Sequence, residues 1–341
     1  MALPRSLKMA GAVPLAIATL LATTACATSQ AMPAAALPSG TYALIANAVT
    51  GTVQALDSRT LTVVGNPIQL EGFPSDVAVS RDGRRAYVII PTSNDVQVID
   101  TRTLSVIGDP ITVGRYPSGI AISPDGKRIY VADGAATDVR VIDTRTRRDL
   151  GAPIKVGDAP SGLAISPDGK WVYVTSQYQD DLRMIDTQTL RVFGNPIKVG
   201  HSPARVVVSP DGSRDFVANL NSNDISVIDT RTSRVLGAPV QVGRYPYGMA
   251  ISPDGQRLYV SDQVSDDVRV IETTTPWAAE KLIKVGDAPS QIAMSPDGKE
   301  VYVANMYSND ISLIDTATLR VTVSPRKVGA GPRGIALASV G

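Results

Sequence analysis

The chain has 341 residues, a formal charge of +1 and only 5% aromatic side chains. Its Lys and Arg residues alternate with acids throughout, so it lacks both a global field for nucleic acid or an anionic membrane and the basic, aromatic-interleaved groove of a single-strand reader. Abundant Val, Ile, Thr, Gly and Pro favour many short strands joined by tight turns, and the length allows one large domain or two ordinary ones.

At the N-terminus, Arg5 and Lys8 precede an apolar run from Met9 to Leu21, and small residues follow to Ala27. This order predicts a secretory signal over residues 1–27, too short for a comfortable membrane span. The segment Leu21-Ala22-Thr23-Thr24-Ala25-Cys26 resembles the lipobox of bacterial lipoproteins, whose cysteine becomes the lipidated first residue; Thr23 stands where that motif usually has Leu. Cleavage after Ala25-Cys26-Ala27, an A-x-A pattern, is the other reading, and both stay open. Cys26 is the only cysteine, so no intramolecular disulfide can form. The expected location is the cell envelope, periplasmic or extracellular, with a lipid on Cys26 as the sole membrane attachment. Residues 28–39, rich in Ala, Pro and Ser, read as a flexible tether, and residues 40–341 as one domain.

That domain is a repeat. Ser80-Arg81-Asp82-Gly83 is followed by Ser-Pro-Asp-Gly at Ser123, Ser166, Ser209, Ser252 and Ser295, each 43 residues after the last. A second turn places its acid at Asp57, Asp100, Asp143, Asp186, Asp229, Glu272 and Asp315 with the same step. Pro presets φ, Asp caps its own backbone and Gly takes the positive φ. In one unit, residues 119–122, 128–132, 139–142 and 153–156 read as four short strands, the pattern of a propeller blade. Six such units span residues 72–328. The C-terminal Gly334-Ile335-Ala336-Leu337-Ala338 is then a first strand without followers, while residues 42–46, 53–56 and 67–70 are second, third and fourth strands without a first. Their pairing predicts an all-β, seven-bladed β-propeller of four-stranded antiparallel blades, sealed across the two ends of the chain.

Tyr173-Val174-Thr175-Ser176, Tyr302-Val303-Ala304-Asn305, Phe216-Val217-Ala218-Asn219 and Tyr130-Val131-Ala132-Asp133 resemble the Tyr-Val-Thr-Asn signature of YVTN-repeat propellers. The resemblance covers roughly residues 40–341 and implies the fold more strongly than an activity. Relatives with similar blades include lactonases of the 6-phosphogluconolactonase type and streptogramin lyases.

Function should lie where the repeat breaks. The turn acids recur in every blade and are explained by capping, and Tyr87, Tyr130, Tyr173, Phe216, Tyr259 and Tyr302 share one strand position that reads as packing. Second-to-third-strand loops and blade-to-blade loops lie on one face. Tyr116, Tyr178, Tyr245, Tyr247 and Tyr307 all fall there, and Phe73 joins them, offering contact area with a polar tip. On the same face the first loop position reads Arg115, Asp158, His201, Arg244, Asp287 and Ala330. The start of the inner strand departs from Ser-Gly at Asp76, Arg205, Tyr247, Gln291 and Arg333. Arg205 and Arg333, with Arg115 and Arg244 outside them, are placed to clamp a carboxylate or phosphate, or to be neutralised by Asp76, Asp158 and Asp287.

His201 is the only histidine, so a His-ligated metal is not expected, and no cofactor is expected either. There is no GxSxG, HExxH, P-loop or CxxC motif, and Trp171 and Trp277 do not make the tryptophan-rich blades of a quinone-dependent propeller. The sequence therefore points to a non-enzymatic binding or scaffold propeller that engages a protein or small anionic ligand through its tyrosine-bearing face. The alternative is a lactonase-like or lyase-like enzyme using His201 as base beside Arg205. A purely structural surface protein is the third reading.

Overall fold

A computed structural model of the protein describes residues 36–274, 279–322 and 324–341; the expected signal segment, Cys26, residues 28–35 of the tether and Trp277 lie outside the described residues. The two repeated turns organise each blade. In the unit beginning at Pro160, Ser166 Oγ donates to Asp168 Oδ1 at 2.6 Å, and the same oxygen accepts from the Lys170 amide, while Gly169 sits at φ 73°. At the second turn Asp186 Oδ1 accepts from the Thr189 amide and hydroxyl and from the Gln188 amide, which hold its carboxyl below the usual range. Thr187 Oγ1 donates to Gly169 O at 2.7 Å, lacing one turn to the other. The recurring acids are thus engaged locally, in capping.

Between these turns the chain forms the strands Pro160–Ile165, Trp171–Ser176, Asp181–Asp186 and Arg191–Lys198, paired in that order. The described residues make seven such antiparallel sheets, and their inner strands touch one another in cyclic order. The ring closes as the sequence predicts. Pro332–Val340 runs antiparallel to Gly40–Asn47, with register from Gly40 opposite Val340 to Ala46 opposite Gly334.

One expectation needs correcting. The fourth strand expected at residues 153–156 is two short pieces, Arg148–Asp149 and Ile154–Lys155, both paired with Asp138–Asp143. Gly151 at φ 83° and Pro153, which has no N–H to donate, break the ladder between them. In the closing blade the fourth strand, Val63–Gln69, starts earlier than expected.

The core lies between blades. The six framework aromatics are each at most 2% exposed; Tyr302, for example, packs on Ala43, Ile45 and Leu56 of the next blade. Burying a side chain of this size contributes about 1.5–3 kcal/mol. At the axis the packing is backbone on backbone: a Cβ on Gly119 would lie 2.1 Å from Ser161 O, and one on Gly248 2.2 Å from Ser290 O.

Candidate functional site

That close approach explains the site. The glycine slot of the inner strand holds Gly119, Gly162, Gly248 and Gly334 in four blades, but Asp76, Arg205 and Gln291 in the other three. The glycines leave room at the axis for the three large side chains, which meet there. Arg205 Nη1 donates to Asp76 Oδ2 at 2.7 Å, and Gln291 Nε2 donates to Asp76 Oδ1 at 2.7 Å. The Val77 amide also donates to Oδ1, at 2.8 Å. Gln291 is fixed in turn by the Ile335 amide, which donates to its Oε1.

One slot earlier, where the repeat has Ser, Tyr247 and Arg333 join the group. The Arg205 guanidinium lies 5.1 Å from the Tyr247 ring centroid, a cation–π arrangement, and its Nη2 donates to the phenol oxygen at 3.4 Å. The Arg333 charge acts on the same phenol. Burial would raise the Tyr247 phenol, but Arg205 and Arg333 outweigh it and hold the group below its ordinary value. Burial works against the Arg205 charge, and Asp76 more than restores it. Two guanidinium groups and one carboxylate therefore meet at the axis.

Above them opens a cavity of about 500 Å³ at the mouth of the channel, lined by Tyr116, Tyr178, Tyr245, Tyr247, Tyr307 and Arg333 among others. Tyr116 and Tyr245 adopt left-handed backbone, φ 53° and 64°, in a slot that Gly331 fills at φ 67° in the closing blade. This conformation costs a non-glycine residue about 1–2 kcal/mol. It is held by asparagine: Asn94 Oδ1 accepts from the Tyr116 amide at 2.7 Å, and Asn223 Oδ1 from the Tyr245 amide at 2.9 Å. Ser75, Gln177, Gln263 and Met306 line the cavity too. Sequence reasoning missed Ser75 because Ser is the common residue of its slot. The other three sit in loops whose lengths match those of the remaining blades, and only their position on the shared face could have found them.

Other expected residues stay apart from this group. Phe73, Arg115 and Arg244 are exposed and do not line the cavity. His201 is exposed as well, its Nδ1 2.9 Å from Asp180 Oδ2. Asp180 Oδ1 accepts from the Ser202 amide at 2.7 Å, the capping role that Asn94 and Asn223 play elsewhere. His201 is therefore paired with a capping residue on the rim, while Arg205 is tied to Asp76 at the axis, and the two make no hydrogen bond to each other.

The family profile described as Cytochrome D1 heme domain matches residues 87–280. The chain belongs to the cytochrome D1 heme domain family. A haem needs an axial ligand such as His, Met, Cys or Tyr. In this cytochrome D1 heme domain the one histidine lies outside the cavity and bonds Asp180, the Tyr247 phenol accepts from Arg205, and Met306 lines the cavity. Of the ligand types a haem takes, the cavity wall offers Met306 and tyrosines but no histidine or cysteine.

Among solved structures, a chain of Kuenenia stuttgartiensis hydrazine synthase is similar at 28% identity and TM-score 0.71, over 80% of this chain and 92% of that one. A protein of unknown function from Desulfotomaculum acetoxidans is similar at 18% identity and TM-score 0.77, over 87% and 98%. A Bacteroides uniformis protein with a provisional 6-phosphogluconolactonase name is similar at 16% identity and TM-score 0.74, over 88% and 100%. The last two identities show the fold alone, and at that level the expected likeness to lactonase-type propellers holds. No curated protein matches the chain in sequence.

Proposed function

We propose that this protein is a non-enzymatic binding propeller of the cell envelope, which captures its partner in the tyrosine-lined mouth of the channel. The observation that carries the reading is the meeting of Tyr116, Tyr178, Tyr245, Tyr247 and Tyr307, from loops far apart in sequence, around one cavity. The left-handed backbone of Tyr116 and Tyr245 is shared by Ala159, Ser202 and Ala288 in the same slot, so it belongs to the repeat, and the tyrosine side chains are what set these two blades apart. A catalytic reading through His201 draws no comparable support, since His201 and Arg205 have separate partners.

The test is capture from an envelope fraction by the immobilised propeller. Tyr116→Ala combined with Tyr245→Ala should weaken capture by about 2 kcal/mol or more, the scale of hot-spot aromatics, and His201→Ala should change little. A lactonase-like activity would reverse the order, with His201→Ala lowering lactone turnover by about a hundredfold. Export and anchoring are a separate part of the proposal: Cys26→Ser should move the protein from the membrane to the soluble fraction if Cys26 is lipidated.

A further inference from the structure

The axis carries an unbalanced charge. Asp76 neutralises one guanidinium, Arg205, through the 2.7 Å ion pair. Arg333 lies on the cavity wall and forms no ion pair with a carboxylate among the described residues; its charge acts on the Tyr247 phenol. The phenol oxygen accepts from Arg205, and the phenol's own proton has no acceptor among the described residues, so it can be donated into the cavity. An uncompensated guanidinium in a recessed site favours an anion carrying one charge.

A second, independent observation points to the same place. In the slot of Arg333 the neighbouring blades carry serine. Ser118 Oγ donates to Pro160 O at 2.6 Å, and Ser290 Oγ to Arg333 O at 3.0 Å, each across to the next blade. Ser75 occupies this slot beside Arg333, lines the cavity and is 8% exposed, yet its Oγ has no partner among the described residues. A buried hydroxyl without a partner costs free energy unless something in the cavity bonds it.

We infer that the channel mouth binds a small monocarboxylate with an aromatic or apolar body, its carboxylate on Arg333, Tyr247 and Ser75 and its body among the tyrosines. This rests on the binding reading above and adds the ligand's chemistry to it. A guanidinium matches a carboxylate with two parallel N–H···O bonds, and the phenol and serine hydroxyls supply further donors to its oxygens. One carboxylate charge cancels the surplus, whereas a phosphate monoester, with about −1.5 to −2, exceeds it. Tyr116, Tyr178, Tyr245 and Tyr307 then supply faces and edges for an apolar body, in a cavity of the size small ligands fill.

The experiment is calorimetric titration of the full chain with benzoate, phenyl phosphate and benzyl alcohol as probes. Benzoate should bind more tightly than either of the others. Arg333→Gln should weaken benzoate by about tenfold or more and leave benzyl alcohol unchanged, and Ser75→Ala should weaken benzoate several-fold. If Arg333→Gln fails to fold, as judged by its melting curve, Arg333→Lys serves instead: it keeps the charge without the fork and should still lose several-fold. No benzoate binding at millimolar concentration, preference for phenyl phosphate, or benzoate affinity indifferent to Arg333 and Ser75 would each overturn the inference. Tyrosine-dependent partner capture that survives such a result would leave the binding reading standing, so the two can fail separately.

Discussion

Arg205 Nη1 stands 2.7 Å from Asp76 Oδ2 although 129 positions of sequence separate the two residues. The Arg205 side chain is 13% exposed and that of Asp76 5%. Removing one member leaves the other buried without its counter-charge. Asp76→Asn should therefore destabilise the protein by about 3–5 kcal/mol, and adding Arg205→Gln should recover part of the loss. Urea unfolding of both variants measures this; unchanged stability in the single variant would mean that water already solvates the pair.

Sealing the ring depends on the last strand. Deleting residues 334–341 strips Gly40–Asn47 of its partner and exposes an edge. The truncated chain should lose cooperative unfolding or aggregate, as followed by circular dichroism and light scattering. A clean melt within a few degrees of the parent would contradict the closure.

Asp133 and Asp262 end their second strands where Asn219 and Asn305 end two others. Burial, with Asp138 close by, pushes Asp133 up to about 7. Burial also pushes Asp262 up to about 8, with Asp267 adding to the rise and the Gly243 amide opposing it. In the unfolded chain both titrate near 3.8. The folded state thus holds more protons between about pH 4 and 8, so this contribution is complete below pH 4 and is lost as pH rises through 7 and 8. The turn acids, whose folded values are lowered, act in the opposite sense but only below about pH 4. Asp262→Asn with Arg269→Ser copies the Asn219/Ser226 and Asn305/Ser312 blades. It should flatten the fall in melting temperature between pH 5 and pH 8; an unchanged slope would show that Asp262 does not carry it.

Asp215 occupies an inter-blade slot that holds Ile129, Val172, Leu258 and Val301 elsewhere. It is fully buried, neither oxygen has a partner among the described residues, and burial raises its pKa well above the usual range. Asp215→Val should stabilise the protein by about 1–3 kcal/mol, and by more at pH 8 than at pH 5, because the ionised form is the costlier one to bury. Denaturant unfolding at the two pH values tests both parts.

The fold was legible because each blade spells out its own turns and the two ends of the chain lack complementary strands. The tyrosines were legible as sharing a face for the same topological reason: strand order alone decides where a loop emerges. What stayed hidden was partnership. Asp76, Arg205 and Gln291 stand out as departures from glycine, but nothing in their spacing says that they bond one another, because a ring brings distant blades together at its centre. His201 shows the opposite limit. As the only histidine it drew attention, yet its neighbour Asp180 is a capping residue like Asn94, and that becomes visible only from the bond to the Ser202 amide. The interrupted fourth strands were missed because the outer edge carries no packing partner to hold the ladder straight across Gly and Pro.

The glycine slots have a consequence for how such a ring can change. Asp133, Asp138 and Arg140 lie in one blade, as do Asp262, Asp267 and Arg269, so each of these two blades is a cassette that carries those buried charges with it. A duplicated or exchanged cassette would keep that internal balance. The axial group behaves otherwise. Its members come from five blades, and Arg205 meets Asp76 only because the intervening blades are the right number and present glycine. Gain or loss of one blade would leave the walls intact and scatter the centre, so in this molecule the outer strands are interchangeable parts and the axis is what keeps count.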